Sequence, residues 1–329
     1  MESTTIAGTG VRTSRLGYGC SSVMGGMGRR ESLAILETAF DAGIRHFDVA
    51  PMYGFGEAEG CLGEFLARHR GHVTVTTKYG IPPAKGNPAK SLARNMARPV
   101  LKLLPNVKRR LAGVAAKVDT PAPRATFTPA QAKQSLDRSL AALRTDRVDI
   151  WLLHEVEAQD LNDDGLLRLL ESEVASGTIR AFGVGSEGSK VQDLLRQRPE
   201  YCRILQYEWS IFDGAASSNA FRIHHRALTE NFRSLHAALT TNPVICRRWS
   251  DNLGKDLGSA EVLASLMLKA ALTINPESII LFSSKRPEHV LANVKVAEDA
   301  SLEEPARRLY DLAQNRGHEL NLTERSERG

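Results

Sequence analysis

Asp48, Tyr53, Lys78 and His154 are four side chains able to hold or move a proton. Each stands at or just past the end of a run that reads as a β-strand. The first run is His46-Phe47-Asp48-Val49-Ala50, followed by Pro51-Met52-Tyr53-Gly54. The second is Val73-Thr74-Val75-Thr76-Thr77-Lys78, and the third is Val148-Asp149-Ile150-Trp151-Leu152-Leu153-His154. Side chains alternate faces along a strand. Lys78 therefore shares a face with Thr76 and Thr74, and His154 with Leu152 and Ile150. If the runs are parallel neighbours about 4.8 Å apart, a carboxylate, an ammonium, an imidazole and a phenol meet at one rim.

That set suits proton transfer to a carbonyl oxygen. A phenol with a pKa of about 10 is a weak acid at neutral pH, and a nearby ammonium favours its ionised form. The carboxylate holds the ammonium by a charge-assisted hydrogen bond. The imidazole can orient a carbonyl oxygen. Singly, each residue has an ordinary reading as a strand-end carboxylate, a snorkelling lysine, a core histidine or a loop aromatic. Jointly they do not, because a buried lysine or aspartate is seldom tolerated without a partner.

The elements that must position these groups alternate along the chain. Strand-like runs are expected at about Leu16–Val23, His46–Ala50, Val73–Lys78, Val148–His154, Ile179–Val184, Arg203–Glu208, Val244–Arg248 and Ser278–Phe282. Helical patterns follow at about Glu31, Glu57–His69, Pro129–Leu143, Asp163–Ala175 and Pro287–Glu298, with Thr128 as N-cap and Pro129 in the first turn of the third. Eight such units predict a single α/β domain over 1–329, a (β/α)8 TIM barrel. In that fold catalytic groups sit at the C-terminal ends of strands.

The stretch Phe47-Asp48-Val49-Ala50-Pro51-Met52-Tyr53-Gly54 resembles the active-site signature of the aldo-keto reductases, and the spacing to Lys78 and His154 is similar as well. Gly177–Val184, Leu205–Ser210 and Pro287–Asn293 follow in the family's order, so the resemblance covers roughly residues 12 to 300. It implies an NAD(P)H-dependent oxidoreductase that reduces an aldehyde or ketone, or runs in reverse. Tyr53 would be the general acid/base, tuned by Lys78 and Asp48, and His154 would position the oxygen. It also implies that strands five to eight hold the cofactor. Gln206 would hydrogen-bond the nicotinamide carboxamide, and Trp209 would stack on its ring. The family's usual Ser-Asn pair after Gly-Val is here Gly185-Ser186, which leaves Ser186 as the side-chain donor. Ser284, Lys285 and Arg286 lie where the family binds the adenosine phosphate, so NADP(H) is expected in preference to NAD(H). His289 stands where many members carry arginine, and Asn293 would contact adenine. The family's Pro-Leu-Gly-type loop after the seventh strand is missing from Arg247–Gly254, where Arg247 or Arg248 would take over the phosphates.

Two stretches interrupt the pattern. Residues 81–128 form a basic, partly helical insertion after the third strand, carrying Lys85, Lys90, Arg94, Arg98, Lys102, Lys108, Arg109, Arg110, Lys117 and Arg124 against Asp119. It reads either as a lid or partner surface at the catalytic rim, or as a solvated amphipathic excursion. From about residue 316 a polar tail is expected to fray.

Bulk properties narrow the function classes. A formal charge of +5 over 329 residues is modest, and the basic residues lack interleaved aromatics, so nucleic acid is not expected as a partner. No apolar run is long enough to span a membrane, and Met1–Thr5 does not read as a secretory leader. Cys20, Cys61, Cys202 and Cys246 are scattered and read as reduced thiols of a cytoplasmic protein, with no metal site. The absence of a Gly-x-Gly-x-x-Gly after a strand argues against a doubly wound dehydrogenase. The expected partner is a small-molecule carbonyl or alcohol. A slow-turnover, cofactor-binding redox-sensing or regulatory subunit, with the insertion as its partner surface, is the second reading.

Overall fold

Alternation along the strands separates two apolar layers. Ile150, Leu152, Ala181, Ile204, Phe221, Ile223, Ile279 and Leu281 face inward and pack together with Ile6. Trp151, Leu153, Phe182, Val184, Leu205 and Ile280 face outward, into the layer beneath the helices. The computed structural model describes residues 1–83, 125–162, 164–214 and 220–320.

An antiparallel hairpin of β1 (Ser3–Thr5) and β2 (Arg12–Ser14) opens the chain. It lies against the N-terminal end of the barrel, where the Thr13 and Thr74 hydroxyls are 2.7 Å apart. Next come β3 (Leu16–Gly19), α1 (Arg29–Asp41), β4 (His46–Asp48), α2 (Ala58–His69) and β5 (Thr74–Tyr79). They are followed by α3 (Pro129–Leu143), β6 (Val148–His154), α4 (Asp164–Ala175), β7 (Ile179–Gly185), α5 (Gly188–Gln197) and β8 (Ile204–Glu208). Then come β9 (Phe221–His225), α6 (Glu230–Thr241), α7 (Pro243–Leu253), α8 (Ala260–Ile274), β10 (Ser278–Phe282), α9 (Pro287–Glu298) and α10 (Glu303–Arg316). Strands β3 to β10 are parallel and close in sequence order, with β10 pairing back onto β3. The expected eight-stranded α/β barrel is present.

Local chemistry accounts for the element boundaries. The Thr128 hydroxyl accepts from the Gln131 N–H, and Pro129 fills the first position of α3. Ser259 caps α8 in the same way, accepting from the Val262 N–H. Gly254 ends α7 with φ of 64°.

The seventh strand is not where the sequence pattern put it. Val244–Arg248 belongs to helix α7, and the strand is Phe221–His225. Val244-Ile245 looks strand-like because it is β-branched. The spacing of half-buried Ile245 with buried Trp249 and Leu253 is that of a helix face, and Pro243 starts it. In the true strand Phe221 and Ile223 alternate with Arg222 and His224, which face outward and disguise it.

The chain leaves β5 through Gly80, whose φ is 146° and where an added Cβ would stand 2.0 Å from the His154 carbonyl oxygen. Only glycine fits there. Ala125 returns to the same spot, its N–H donating to the Gly80 carbonyl at 2.8 Å, and the Tyr79 hydroxyl donates to the Thr126 carbonyl at 2.5 Å. Both ends of the insertion therefore sit on the rim that carries Lys78. Its interior, 84–124, lies outside the described residues. At the other end of the chain the packing extends past residue 316. Residues Gly317–Leu320 form a 3-10 turn, Leu320 is buried, and Glu319 pairs with Arg248. The tail residues 321–329 lie outside the described residues.

Candidate active site

The barrel register places the four predicted proton-handling residues around one opening. Asp48 ends β4 opposite Thr76, and Lys78 lies two residues further along β5. Leu152 pairs with Lys78, His154 ends β6 opposite Gly185, and Gly185 pairs with Gln206. Tyr53 sits in the turn after β4. Its N–H donates to the Ala50 carbonyl at 3.0 Å, and the next two residues, Gly54 and Phe55, have φ of 59° and 60°. At Gly54 a Cβ would meet the Val23 carbonyl oxygen at 2.5 Å, so the left-handed turn that aims Tyr53 back over the rim requires glycine.

Lys78 is buried, and its Nζ donates to Asp48 Oδ1 at 2.5 Å and to the Val49 carbonyl at 3.2 Å. The other oxygen, Asp48 Oδ2, accepts from Gln206 Nε2 at 2.7 Å. The ammonium lies 5.3 Å from the centre of the Tyr53 ring. Burial presses the Lys78 pKa down, but Asp48 and Tyr53 outweigh it and the net shift is upward. The ammonium therefore stays charged. Lys78 is also the largest influence on the Tyr53 phenol and pulls its pKa down. Burial, the Asp48 carboxylate and the Cys20 thiol together overcome that pull, and the phenol ends above its ordinary value. The sequence reading considered only the ammonium. Enclosure changes the balance, and Tyr53 holds its proton at neutral pH. Burial, then Lys78, lowers the His154 pKa to about 3, so its imidazole is neutral. Its Nδ1 is buried without a hydrogen-bond partner.

A cleft of about 1400 Å³ opens from Asp48, Tyr53 and His154 past Ser186 and Gln206 to Ser284, His289 and Asn293. Those predicted residues therefore share one wall system, but others do not. Trp209 is buried outside the cleft walls, stacked on Tyr310 at 6.1 Å between ring centres, with its indole N–H 3.4 Å from the Gly214 carbonyl. His225, at the end of β9 opposite Glu208, does put an aromatic ring in the cleft wall, and burial above all lowers its pKa to about 4. Lys285 reaches across to Gly26, where an added Cβ would stand 2.4 Å from its Nζ. Arg286 pairs with Glu288 at 3.4 Å and lies 3.1 Å from His289 Nε2. Neither Lys285 nor Arg286 is part of the cleft wall. Arg247 and Arg248 lie on α7 and not after a strand.

Residues that the sequence reading missed are His225, Arg226 and Lys255, all in the cleft wall. Misplacing the seventh strand hid the first two. The pattern Phe-Arg-Ile-His-His, with its apolar residues two apart, was the available signal.

The donor set fits a nicotinamide dinucleotide. One end of the cleft has an unpaired buried imidazole nitrogen, on His154, beside the Ser186 and Gln206 side chains. The cations of Arg226 and Lys255 and the polar side chains of Asn293 and Ser284 line the same cleft. Among the described residues no group of three or more His, Cys, Asp or Glu is placed to hold a metal ion, and no helix is long and apolar enough to cross a membrane.

Comparison with known proteins bears on the family and the fold. A D-threo-aldose 1-dehydrogenase from a Pseudomonas species is 33% identical over 192 residues, 55% of this chain and 52% of the relative. The match thus spans about half the length of that protein. A glycerol dehydrogenase from Gluconobacter oxydans shares the fold with a TM-score of 0.68 at 19% identity, over 99% of both chains. An aldo-keto reductase from Klebsiella pneumoniae solved in complex with NADPH has a TM-score of 0.61 at 18% identity, over 94% of this chain and 95% of its own. The sequence model of the Aldo/keto reductase family matches residues 15–234, well over half of the chain, and the strands close into the expected parallel barrel, so this chain belongs to the aldo/keto reductase family.

Proposed function

We propose that this protein is an NAD(P)H-dependent carbonyl reductase, or the corresponding alcohol dehydrogenase, with Tyr53 as the proton donor or acceptor. The observation that carries this is the sealed Asp48–Lys78 pair beside the Tyr53 ring at the cleft's inner end. When bound, the dinucleotide would supply or take the hydride at the substrate carbon. The chain's own residues handle the oxygen. Tyr53, protonated at neutral pH, donates to the oxygen as negative charge develops on it. Lys78 stabilises the phenolate left behind, and Asp48 keeps the ammonium aimed and charged. Neutral His154 donates a hydrogen bond that orients the oxygen without competing for the proton.

Ser186 and Gln206 line the cleft where an amide would sit. The Ser186 hydroxyl donates to the Val156 carbonyl at 3.1 Å, and the Gln206 amide donates to Asp48. The Gln206 carbonyl oxygen remains to accept from a carboxamide. His225 offers its ring to the nicotinamide in place of Trp209. At the adenosine end NADP(H) is the reading over NAD(H). Arg286 is 62% exposed and borders His289 in the wall, so a side-chain swing brings a guanidinium to a 2′-phosphate. The Klebsiella relative solved with NADPH supports it. The intact proton-handling set favours turnover over a slow regulatory role.

The test is titration of the protein with NADPH and NADH by fluorescence, then a panel of sugars, small aldehydes and ketones followed by loss of reduced cofactor. Tight cofactor binding with no turnover on any carbonyl would favour the regulatory reading. No binding of either cofactor would end both.

A further inference from the structure

Arg226 has three features that the proton chemistry leaves unused. It follows His225 at the end of β9 and forms part of the cleft wall. Its backbone is left-handed, with φ of 59°. Non-glycine residues avoid that region, and where one is held there the constraint is often functional. The turn is fixed from both sides. The Thr229 N–H and hydroxyl donate to the Arg226 carbonyl at 3.4 and 3.3 Å, and the Trp209 N–H donates to the His225 carbonyl at 3.1 Å. Third, the guanidinium pairs with Glu208, which ends β8 opposite His225 and is also a cleft residue.

In barrel order β9 lies between β8, which carries Gln206, and β10, which leads into Ser284. Arg226 therefore stands between the inner end of the cleft and its adenosine end. Lys255 enters the same cleft from the segment between α7 and α8. A dinucleotide carries its two negative phosphates in the middle, and a planar guanidinium binds phosphate oxygens bidentately.

Resting on the dinucleotide reading above, we propose that Arg226 is the diphosphate-binding residue of this chain, with Lys255 as a second cation. Glu208 keeps the Arg226 guanidinium in the wall until a diphosphate takes its place. Cofactor entry then exchanges one anionic partner of Arg226 for another. Glu208 competes with the ligand and so weakens binding and speeds release.

The experiment measures dissociation constants of the full-length protein for NADH, NADPH and ADP, by fluorescence and calorimetry, at two salt concentrations. Arg226→Ala should weaken all three roughly 10- to 100-fold, the scale of a charged hydrogen bond, and flatten the salt dependence. Arg226→Lys should recover part of the loss. Glu208→Gln should tighten all three several-fold, a change that a merely structural ion pair would not produce. Thermal melts check that each variant is folded. Unchanged constants for Arg226→Ala, or weaker binding by Glu208→Gln, would overturn the proposal. So would a loss confined to kcat/KM for anionic carbonyls, which would make Arg226 a substrate contact. If the wild-type protein binds none of the three, the dinucleotide reading itself has failed.

Discussion

Replacing Asp48 by asparagine removes one charge from an ion pair sealed inside the barrel. Asp48 is 3% exposed and Lys78 1%. The carboxylate takes Lys78 Nζ on one oxygen and Gln206 Nε2 on the other, at 2.5 and 2.7 Å. An asparagine offers a single carbonyl oxygen to those two donors, so one donor, or the ammonium charge, is left unmatched. Removing one partner of a buried pair costs about 3–5 kcal/mol. Unfolding entropy of about 2.1 cal/mol/K per residue gives about 0.7 kcal/mol/K for a chain of this length. Asp48→Asn should therefore lower Tm by roughly 4–7 °C, and Lys78→Met, which strands the carboxylate instead, by a similar amount.

The double variant is the sharper test. With Asp48→Asn and Lys78→Met combined no charge is stranded, and methionine fills most of the lysine's volume. The double variant should be destabilised by less than the sum of the two single changes, with a coupling of about 2–3 kcal/mol. Differential scanning calorimetry on the four proteins measures this directly. Single changes that each move Tm by less than about 1 °C, or that simply add, would show that water reaches the pair. The case for Lys78 as a desolvated, fully charged tuner of Tyr53 would then fall.

Other changes separate the remaining roles. Tyr53→Phe should cut turnover at least about 100-fold, the lower end of general acid catalysis, while cofactor affinity stays close to wild type; retained activity would remove Tyr53 as the acid. His225→Ala should weaken cofactor binding several-fold, whereas Trp209→Phe should lower stability and leave that binding nearly intact, and the reverse pattern would return the stacking role to Trp209. His46, His154, His224 and His225 have pKa values lowered to about 4, 3, 3 and 4, burial being the largest cause in each. Lowered folded values mean that their stability is complete above the ordinary histidine pKa of about 6.5 and is lost as pH falls from there toward 4, by up to about 1.4 kcal/mol per pH unit for each. A Tm unchanged between pH 7.5 and 4.5 would contradict their burial as neutral rings. Gly80→Ala puts a Cβ 2.0 Å from the His154 carbonyl oxygen, which should cost about 2–4 kcal/mol and displace His154; wild-type stability and kcat would show that the turn has room.

The gathering of the four candidate acid–base residues was legible because strand position and residue chemistry agree there. His46-Phe47-Asp48 and Val148–His154 are buried runs that each end in a polar residue, and a polar residue at the last inward position of a strand has no packing reason to be there. The sign of the Tyr53 shift was not legible. It sets the downward pull of Lys78 against burial and the charges of Asp48 and Cys20, and no spacing along the chain reports burial.

The proposed cofactor half was harder to read because its candidate residues come largely from turns and helix starts, where adjacency along the chain says little about direction. Trp209 is one residue past β8 and looked like a cleft aromatic, yet its backbone N–H bonds to the His225 carbonyl and its ring stacks on Tyr310 of α10. Strand β9 was masked by Arg222 and His224. Both sit on its outer face, and the His224 ring is fully buried with neither ring nitrogen paired. A strand with such residues outside reads as a polar loop unless Phe221 and Ile223 are weighted by their two-residue spacing. Once β9 is placed, the segment after the seventh strand becomes Arg226-Ala227-Leu228-Thr229 instead of Arg247–Gly254. That segment puts an arginine in a left-handed turn in the cleft wall, the residue proposed above to meet a diphosphate. On the proposal above, the phosphate loop that looked missing in the sequence is replaced by a different phosphate ligand at the same strand end.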